Sequence, residues 1–245
     1  MNSDKNPYFN IGNLPIPYDI TESKKAKHIK LVMNIDGLKV VKPLKAKINE
    51  VEKALKAKSN WIYKHYMNFQ SMKVEEYNRK WETGERILLK GKNYNIRIYT
   101  YKNKKTFIDF DGKLVEVYVN ENIGEIERKA LIENAFKNWY KKIAYESMQD
   151  RLDYYCKIIG VTYNSMRIKE QKNRWGSCSK KGNLNFNWKL IMSPQWVIDY
   201  VILHEVCHLR YLNHSKEYWK MVELYMPDYK KAQEWLKKNG MGLRL

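Results

Sequence analysis

Residues 125–159 contain neither proline nor glycine, and Leu131, Ala135, Phe136, Trp139, Ile143, Met148, Leu152, Tyr155 and Ile159 recur near helical spacing before Gly160. This predicts a long amphipathic helix, or two in series, ended by a residue that takes the left-handed conformation readily. The chain ahead of it reads differently. In HIKLVMNIDGLKVVKP (28–43), Ile29, Leu31, Met33 and Ile35 share one face ahead of Asp36-Gly37, a pair favoured in two-residue hairpin turns. Val51, Leu55, Ile62, Tyr66 and Phe69 then form one helical stripe. Tyr94, Ile96 and Ile98 restore strand alternation, and TFIDF, Asp111-Gly112 and KLVEVYV read as a second hairpin. The pattern changes near residue 122, so the expected division is a β-rich region with one helix, 1–122, and a second region, 123–245.

That second region follows its long helix with a short strand at 166–169, a Lys181-Gly182 turn and the alternation Leu184, Phe186, Trp188. Ser193 is placed to cap a helix with Pro194 at its first position, continuing through VIDYVILHEVCHL. The class is α+β, with a small antiparallel sheet in the second region.

Composition excludes several alternatives. Among 245 residues, 44% are hydrophobic and 13% aromatic, against 11 Gly and 6 Pro, enough to build a core and unlike a collagenous or disordered chain. No start of signal-peptide type is present, and WVIDYVIL is too short to span a bilayer and carries Asp199, so no membrane association is expected. Cys156, Cys178 and Cys207 form no close pair and leave one over, which suits a reducing, cytoplasmic setting. The net charge of +19 invites a polyanion partner, yet 37 of the 46 basic residues are Lys and only 9 Arg. Nucleic-acid readers lean on the guanidinium fork, so the charge reads first as a solvated surface, with weak nucleic-acid association as the alternative.

The chemistry is concentrated late. Three of the five histidines, His204, His208 and His214, fall in one short window, and His204-Glu205-Val206-Cys207-His208 is an HExxH sequence on the expected helix. Imidazoles four residues apart lie one turn from each other on one face, where both can reach one tetrahedral ion. Glu205, about 100° round the helix from His204, stands beside such an ion without ligating it. The flanking Val201, Ile202 and Leu203 bury the helix, and three unliganded imidazoles there would each need a buried partner. A zinc site is the expectation.

A third ligand requires the helix to stop. Continued regularly, it would place His214 about 240° round from His208. A reversal at Asn213, which tolerates the left-handed conformation, would swing His214 back, and Ser215 could cap the next helix, KEYWKMVELYM. Glu217 competes with His214 for the role.

RWGSCS (174–179), LNFNWKLIMSP and VIDYVILHEVCHLRYLNHSKEYW resemble the YgjP-like metallopeptidases, relatives of the SprT-like proteases. The resemblance extends to DGLKVVKP, ERILLKGKNYNI and PDYKKAQEWL, although KKAKHIKL stands where such proteins usually begin with two arginines. It implies a zincin-like peptidase domain, with His204, His208 and His214 as zinc ligands and Glu205 catalytic. The histidine spacing also echoes the metzincins, which carry a glycine where this chain has Tyr211.

Peptidases of this kind hold a polypeptide as an added strand, and residues 183–188 are the expected edge. Arg174, Trp175 and Asn185 are the candidate substrate contacts, with bracing of its loop the favoured role for Arg174. Tyr200 and Tyr211 could donate to an oxyanion, Cys178 reads as a buried free thiol and Cys207 should face the core. The reading is a zinc metallopeptidase in which Glu205 takes a proton from water activated by the ion. The rival is a nucleic-acid-associated protein, recruited as SprT-like relatives are or built round a structural zinc. A structural site needs four protein ligands, and the sequence offers three.

Overall fold

The computed structural model describes residues 7–34, 37–171 and 174–245, leaving aside the side chains of 34 and 72–78. The chain forms two compact units, 1–79 and 80–245.

The first unit opens with β1 (Tyr8–Ile11), β2 (Leu14–Ser23), β3 (Lys30–Asn34) and β4 (Gly37–Pro43), in the order β1-β2-β4-β3. The expected hairpin is present as β3 against β4, with Asn34 opposite Gly37; the Ile35-Asp36 part of its turn lies outside the described residues. The helical stripe folds as two helices, α1 (Ile48–Ala57) and α2 (Ser59–Asn78), interrupted at Lys58. Val51, Leu55 and Ile62 nevertheless close over Ile16, Leu38 and Val40 of the sheet.

The second unit begins with β5 (Arg86–Leu89), β6 (Lys92–Tyr101), β7 (Phe107–Phe110) and β8 (Leu114–Asn120), ordered β5-β6-β8-β7. Both four-stranded sheets share one topology: two antiparallel pairs joined by a central parallel pair, β2 with β4 and β6 with β8. At the second hairpin, Asp111 Oδ1 accepts from the amides of Lys113 and Leu114 at 2.7 and 2.8 Å.

The boundary between compact units falls at 79/80 rather than at the change of sequence pattern near 122. The cause is α3 (Glu125–Ile159), one uninterrupted helix ended by Gly160 at φ 71°. Its core shares side chains with β5–β8 and the segment just before them: Trp81 stacks on Phe136 with ring centroids 4.6 Å apart, and Tyr140 donates to the Leu88 carbonyl at 2.7 Å. The buried row is Ile132, Phe136, Tyr140, Ala144, Met148 and Leu152. Leu131, Ala135, Trp139 and Ile143 lie beside it, half-buried. Steps of four advance about 40° each, so the buried face turns along the helix. Its first half meets the β5–β8 sheet and its second half the elements that carry the histidines.

Those elements are β9 (Ser165–Lys169), β10 (Gly176–Cys178), β11 (Asn183–Asn187), a 3₁₀ turn (Trp188–Met192), α4 (Gln195–Cys207), α5 (Lys216–Tyr225) and α6 (Tyr229–Asn239). The small sheet is mixed, not antiparallel: β11 pairs antiparallel with β10 but parallel with β9. Residues 183–187 are therefore its central strand, bonded on both sides, and cannot be the open edge expected there; that edge belongs to β10. Ser193 also differs from expectation. Its hydroxyl turns back to the Leu190 carbonyl at 2.6 Å, closing the 3₁₀ turn, and the amides of Val197 and Ile198 go to the Pro194 carbonyl instead.

Candidate functional site

α4 is buried on nearly every side: Val197, Ile198, Val201, Ile202, Leu203, Val206 and Cys207 are all enclosed, and Cys207 faces the core as the sequence predicts. Arg151 on α3 clamps it, with Nε and Nη2 donating to the two Asp199 oxygens at 2.8 Å each. A helix fixed this firmly presents His204 and His208 from consecutive turns at a defined angle; their ring centroids are 4.9 Å apart.

The helix ends at Cys207, well before Asn213. The amides of Arg210 and Tyr211 both return to the Cys207 carbonyl. Among the described residues only Trp81 and Lys90 are non-glycine residues with positive φ, so Asn213 makes no left-handed reversal. Leaving the helix early achieves what the reversal was expected to do. His214 comes back over the first two imidazoles, its Nε2 lying 3.2 Å from His204 Nε2 and its ring 4.7 Å from that of His208. The competing Glu217 lies outside the group of three histidines, and its own backbone amide and then Ser215, at the start of α5, hold its carboxyl below the usual value. Ser215 accepts from the Tyr218 amide at 3.3 Å, the cap the sequence predicts.

One candidate ligand atom from each of the three histidines lies within 4.8 Å of the others, so together they could hold a metal ion. The donor set fits such an ion. His208 Nδ1 is paired with the Tyr211 carbonyl at 2.9 Å, which makes Nδ1 the protonated nitrogen and frees Nε2 as a ligand. Two Nε2 atoms 3.2 Å apart face each other with lone pairs unless a proton or a cation lies between them. Burial and the neighbouring rings hold His204 down to about 3, and burial also lowers His208, so both rings are neutral near pH 7 and each keeps a lone pair. The N–H of one neutral ring can bridge a pair of these nitrogens, whereas a cation can accept from all three.

Tyr218 is the post behind this cluster. It is wholly buried, its ring lies 4.6 to 5.4 Å from each of the three imidazoles, and its hydroxyl donates to the His204 carbonyl at 3.0 Å. His214 stacks in turn on Trp219.

Glu205 is 5% exposed, and burial pushes its carboxyl up to about 8 against the opposing pull of Arg174. Beside the cluster a cleft of about 410 Å³ runs from His208 and Leu209 to the β10–β11 turn, where Lys180 and Lys181 stand.

The YgjP-like metallopeptidase domain matches residues 27–239. The chain belongs to this family. It is accordingly a peptidase, a hydrolase that works with a metal on polypeptides. No curated protein matches the sequence. Among solved structures, the metallopeptidase zymogen abylysin of Pyrococcus abyssi is 23% identical over 37% of this chain and 93% of its own, with a TM-score of 0.35. The zymogen jannalysin of Methanocaldococcus jannaschii is 18% identical over 37% and 94%, with a TM-score of 0.34.

In this YgjP-like peptidase the remaining candidates are placed as follows. Arg174 is exposed, and its carbonyl is held by the Asn187 side chain at 3.3 Å, so its loop is braced by Asn187. The Trp175 indole packs on Gly240, where an added Cβ would lie 2.8 Å from its Cζ2. Asn185 donates to Ser177 Oγ at 3.2 Å across β10–β11. Cys178 is half-buried, and burial together with the charge of Glu205 raises its thiol to about 11. Tyr200 reaches within 3.5 Å of His204 Nδ1 while accepting from Gln233 at 2.9 Å, and Tyr211 contributes its main-chain carbonyl. Sequence reading gave Tyr218 no role. The signal available for it was a bulky aromatic on the first turn of a capped helix immediately after the third histidine.

Proposed function

We propose that this metallopeptidase is zinc-dependent, with His204, His208 and His214 as the ligands and Glu205 as the general base. The observation that carries the reading is the convergence of three imidazoles, two of them from the helix that also carries Glu205, the one buried carboxyl group among the described residues. Three nitrogen donors with a coordination position left open are the donor set of a catalytic rather than a structural zinc. When bound, zinc supplies Lewis acidity to a peptide carbonyl and draws the pKa of water towards about 7.

The chain's own groups supply the rest. Burial raises the Glu205 carboxyl towards the working pH, where it can both take a proton and return one to a leaving amine. His214 is exposed while His204 and His208 are not, so substrate reaches the cluster from the His214 side. The open edge of β10 offers an extended polypeptide backbone hydrogen bonds, and the adjoining cleft offers room for its side chains. The free cysteines support a reducing, cytoplasmic setting. Among the described residues no helix is long and apolar enough to cross a membrane.

The test joins metal analysis to proteolysis. Glu205→Gln should retain stoichiometric zinc and lose hydrolysis of a casein-type substrate by about 100-fold or more. His204→Ala should lose both. Parent-like cleavage by the Gln variant overturns the role given to Glu205.

A further inference from the structure

We infer that Gly176 is a positioning residue for Glu205: the bare α-carbon in β10 forms the seat on which the carboxyl group rests. The inference rests on the role proposed for Glu205. A Cβ built on Gly176 would lie 2.6 Å from Glu205 Oε1, 2.7 Å from Cγ and 2.9 Å from Cδ. All three are closer than carbon side chains approach anything in folded proteins. The clash runs along the side chain from Cγ to its tip, so rotating the carboxylate plane does not relieve it.

Nor has Glu205 anywhere to retreat. It lies on a helix whose neighbours Val206 and Cys207 are wholly enclosed, and whose backbone is tied through Asp199 to α3 and through the His204 carbonyl to Tyr218. β10 is equally fixed, paired with β11 through Gly176 opposite Phe186. Gly176 is not here for its backbone freedom, because its φ lies outside the positive range that favours glycine. Space for the acid is what the position requires. The glycine of RWGSCS and the glutamate of HExxH are thus two halves of one contact. Any side chain at 176 would press the carboxylate from its seat against β10, and about 1 Å of misplacement is worth on the order of 100-fold in rate.

The experiment is a pair of mutant cycles on the full chain loaded with zinc. Gly176→Ala should reduce kcat about 10- to 100-fold while KM and zinc content stay within about twofold of the parent. Glu205→Asp shortens the acid by one methylene and makes room for the methyl group. On that background Gly176→Ala should reduce kcat less than about threefold.

The second cycle needs no activity. Gly176→Ala should lower Tm by about 5 °C in the parent and by less than about 2 °C beside Glu205→Ala, since the methyl then has nothing to strike. Equal penalties in parent and partner backgrounds, in either cycle, would overturn the inference, as would failure of Gly176→Ala to fold in every background. If Glu205→Gln proves fully active, the role of Glu205 falls, whereas the Tm cycle still decides whether the two residues share a contact.

Discussion

The hydroxyl of Tyr218 donates to the main-chain carbonyl of His204 at 3.0 Å, so the helix that ends the histidine cluster holds the helix that begins it. That carbonyl belongs to the last turn of α4, where the helical hydrogen-bond ladder runs out. Tyr218→Phe keeps the ring against the imidazoles and removes only the donor. The expected cost is about 1–2 kcal/mol in urea unfolding, with a fall in zinc affinity of up to about tenfold by competition titration. Tyr218→Ala should cost about 3–5 kcal/mol and abolish tight zinc binding, because three rings lose their common support.

The Arg151–Asp199 pair between α3 and α4 has two bonds of 2.8 Å, and Gln195 adds a third to Asp199 at 2.9 Å. The Arg151 side chain is one-third exposed, so solvent screens part of the attraction. A double-mutant cycle with Arg151→Met and Asp199→Asn should give a coupling of about 1–2 kcal/mol. A coupling below about 0.3 kcal/mol would show that apolar packing alone sets the angle between the helices.

How far the sequence discloses this arrangement depends on the range over which each signal acts. The HExxH spacing is local, and α4 presents His204 and His208 as one-turn neighbours because 3.6 residues per turn leaves little freedom. Ser215 as a cap and Asp111-Gly112 as a turn are local in the same way. His214 was legible in chemistry but not in path: the chain leaves the helix at His208 through a turn closed on the Cys207 carbonyl, whereas Asn213 carried only a propensity. The contact of Gly176 with Glu205 spans 29 residues of sequence and leaves no periodic trace. The boundary near 122 followed the change from strand to helix pattern, but β5–β8 and α3 bury a common core, and cores rather than patterns divide a chain. The alternation of Leu184 and Phe186 marks β11 as a strand but carries no information on its neighbours, and Asn183, Asn185 and Asn187 hydrogen-bond within the fold instead of facing a partner.

The β5–β6 hairpin shows a tertiary use of a local turn. Lys90 and Gly91, at φ 49° and 78°, form its two-residue loop, and their amides donate to the Ile191 and Met192 carbonyls at 2.8 and 2.9 Å. The loop thereby anchors the segment that feeds α4, and a Cβ on Gly91 would lie 2.9 Å from Pro194 Cγ. Gly91→Ala should cost about 2–4 kcal/mol, combining backbone strain with the clash. Gly112→Ala is the control: φ is 92° there too, but nothing lies within 4 Å of the added Cβ. It should cost only about 1–2 kcal/mol. Equal losses in the two variants would mean that Gly91 is kept for its turn and not for its contact with Pro194.

Acid should destabilise the metal-free protein through its histidines. Burial holds His204 near 3 and lowers His208, against an ordinary value of 6.5, so below that pH the unfolded chain binds protons that the folded chain refuses. Stability then falls as pH drops below about 6.5, by up to about 1.4 kcal/mol per pH unit for each imidazole that stays neutral, with the His204 contribution continuing towards 3. Glu205 acts in the opposite direction. Its raised pKa gives stability that is complete below 4.5 and is lost as pH rises through about 8. Glu205→Gln removes that opposition, so chelator-treated Glu205→Gln should lose urea stability steadily from pH 7 to 5, and added zinc should flatten the profile at pH 7 and 6.5. In the His204→Ala, Glu205→Gln double variant the slope should drop by at least half. An unchanged slope there would place the acid sensitivity outside the histidine cluster.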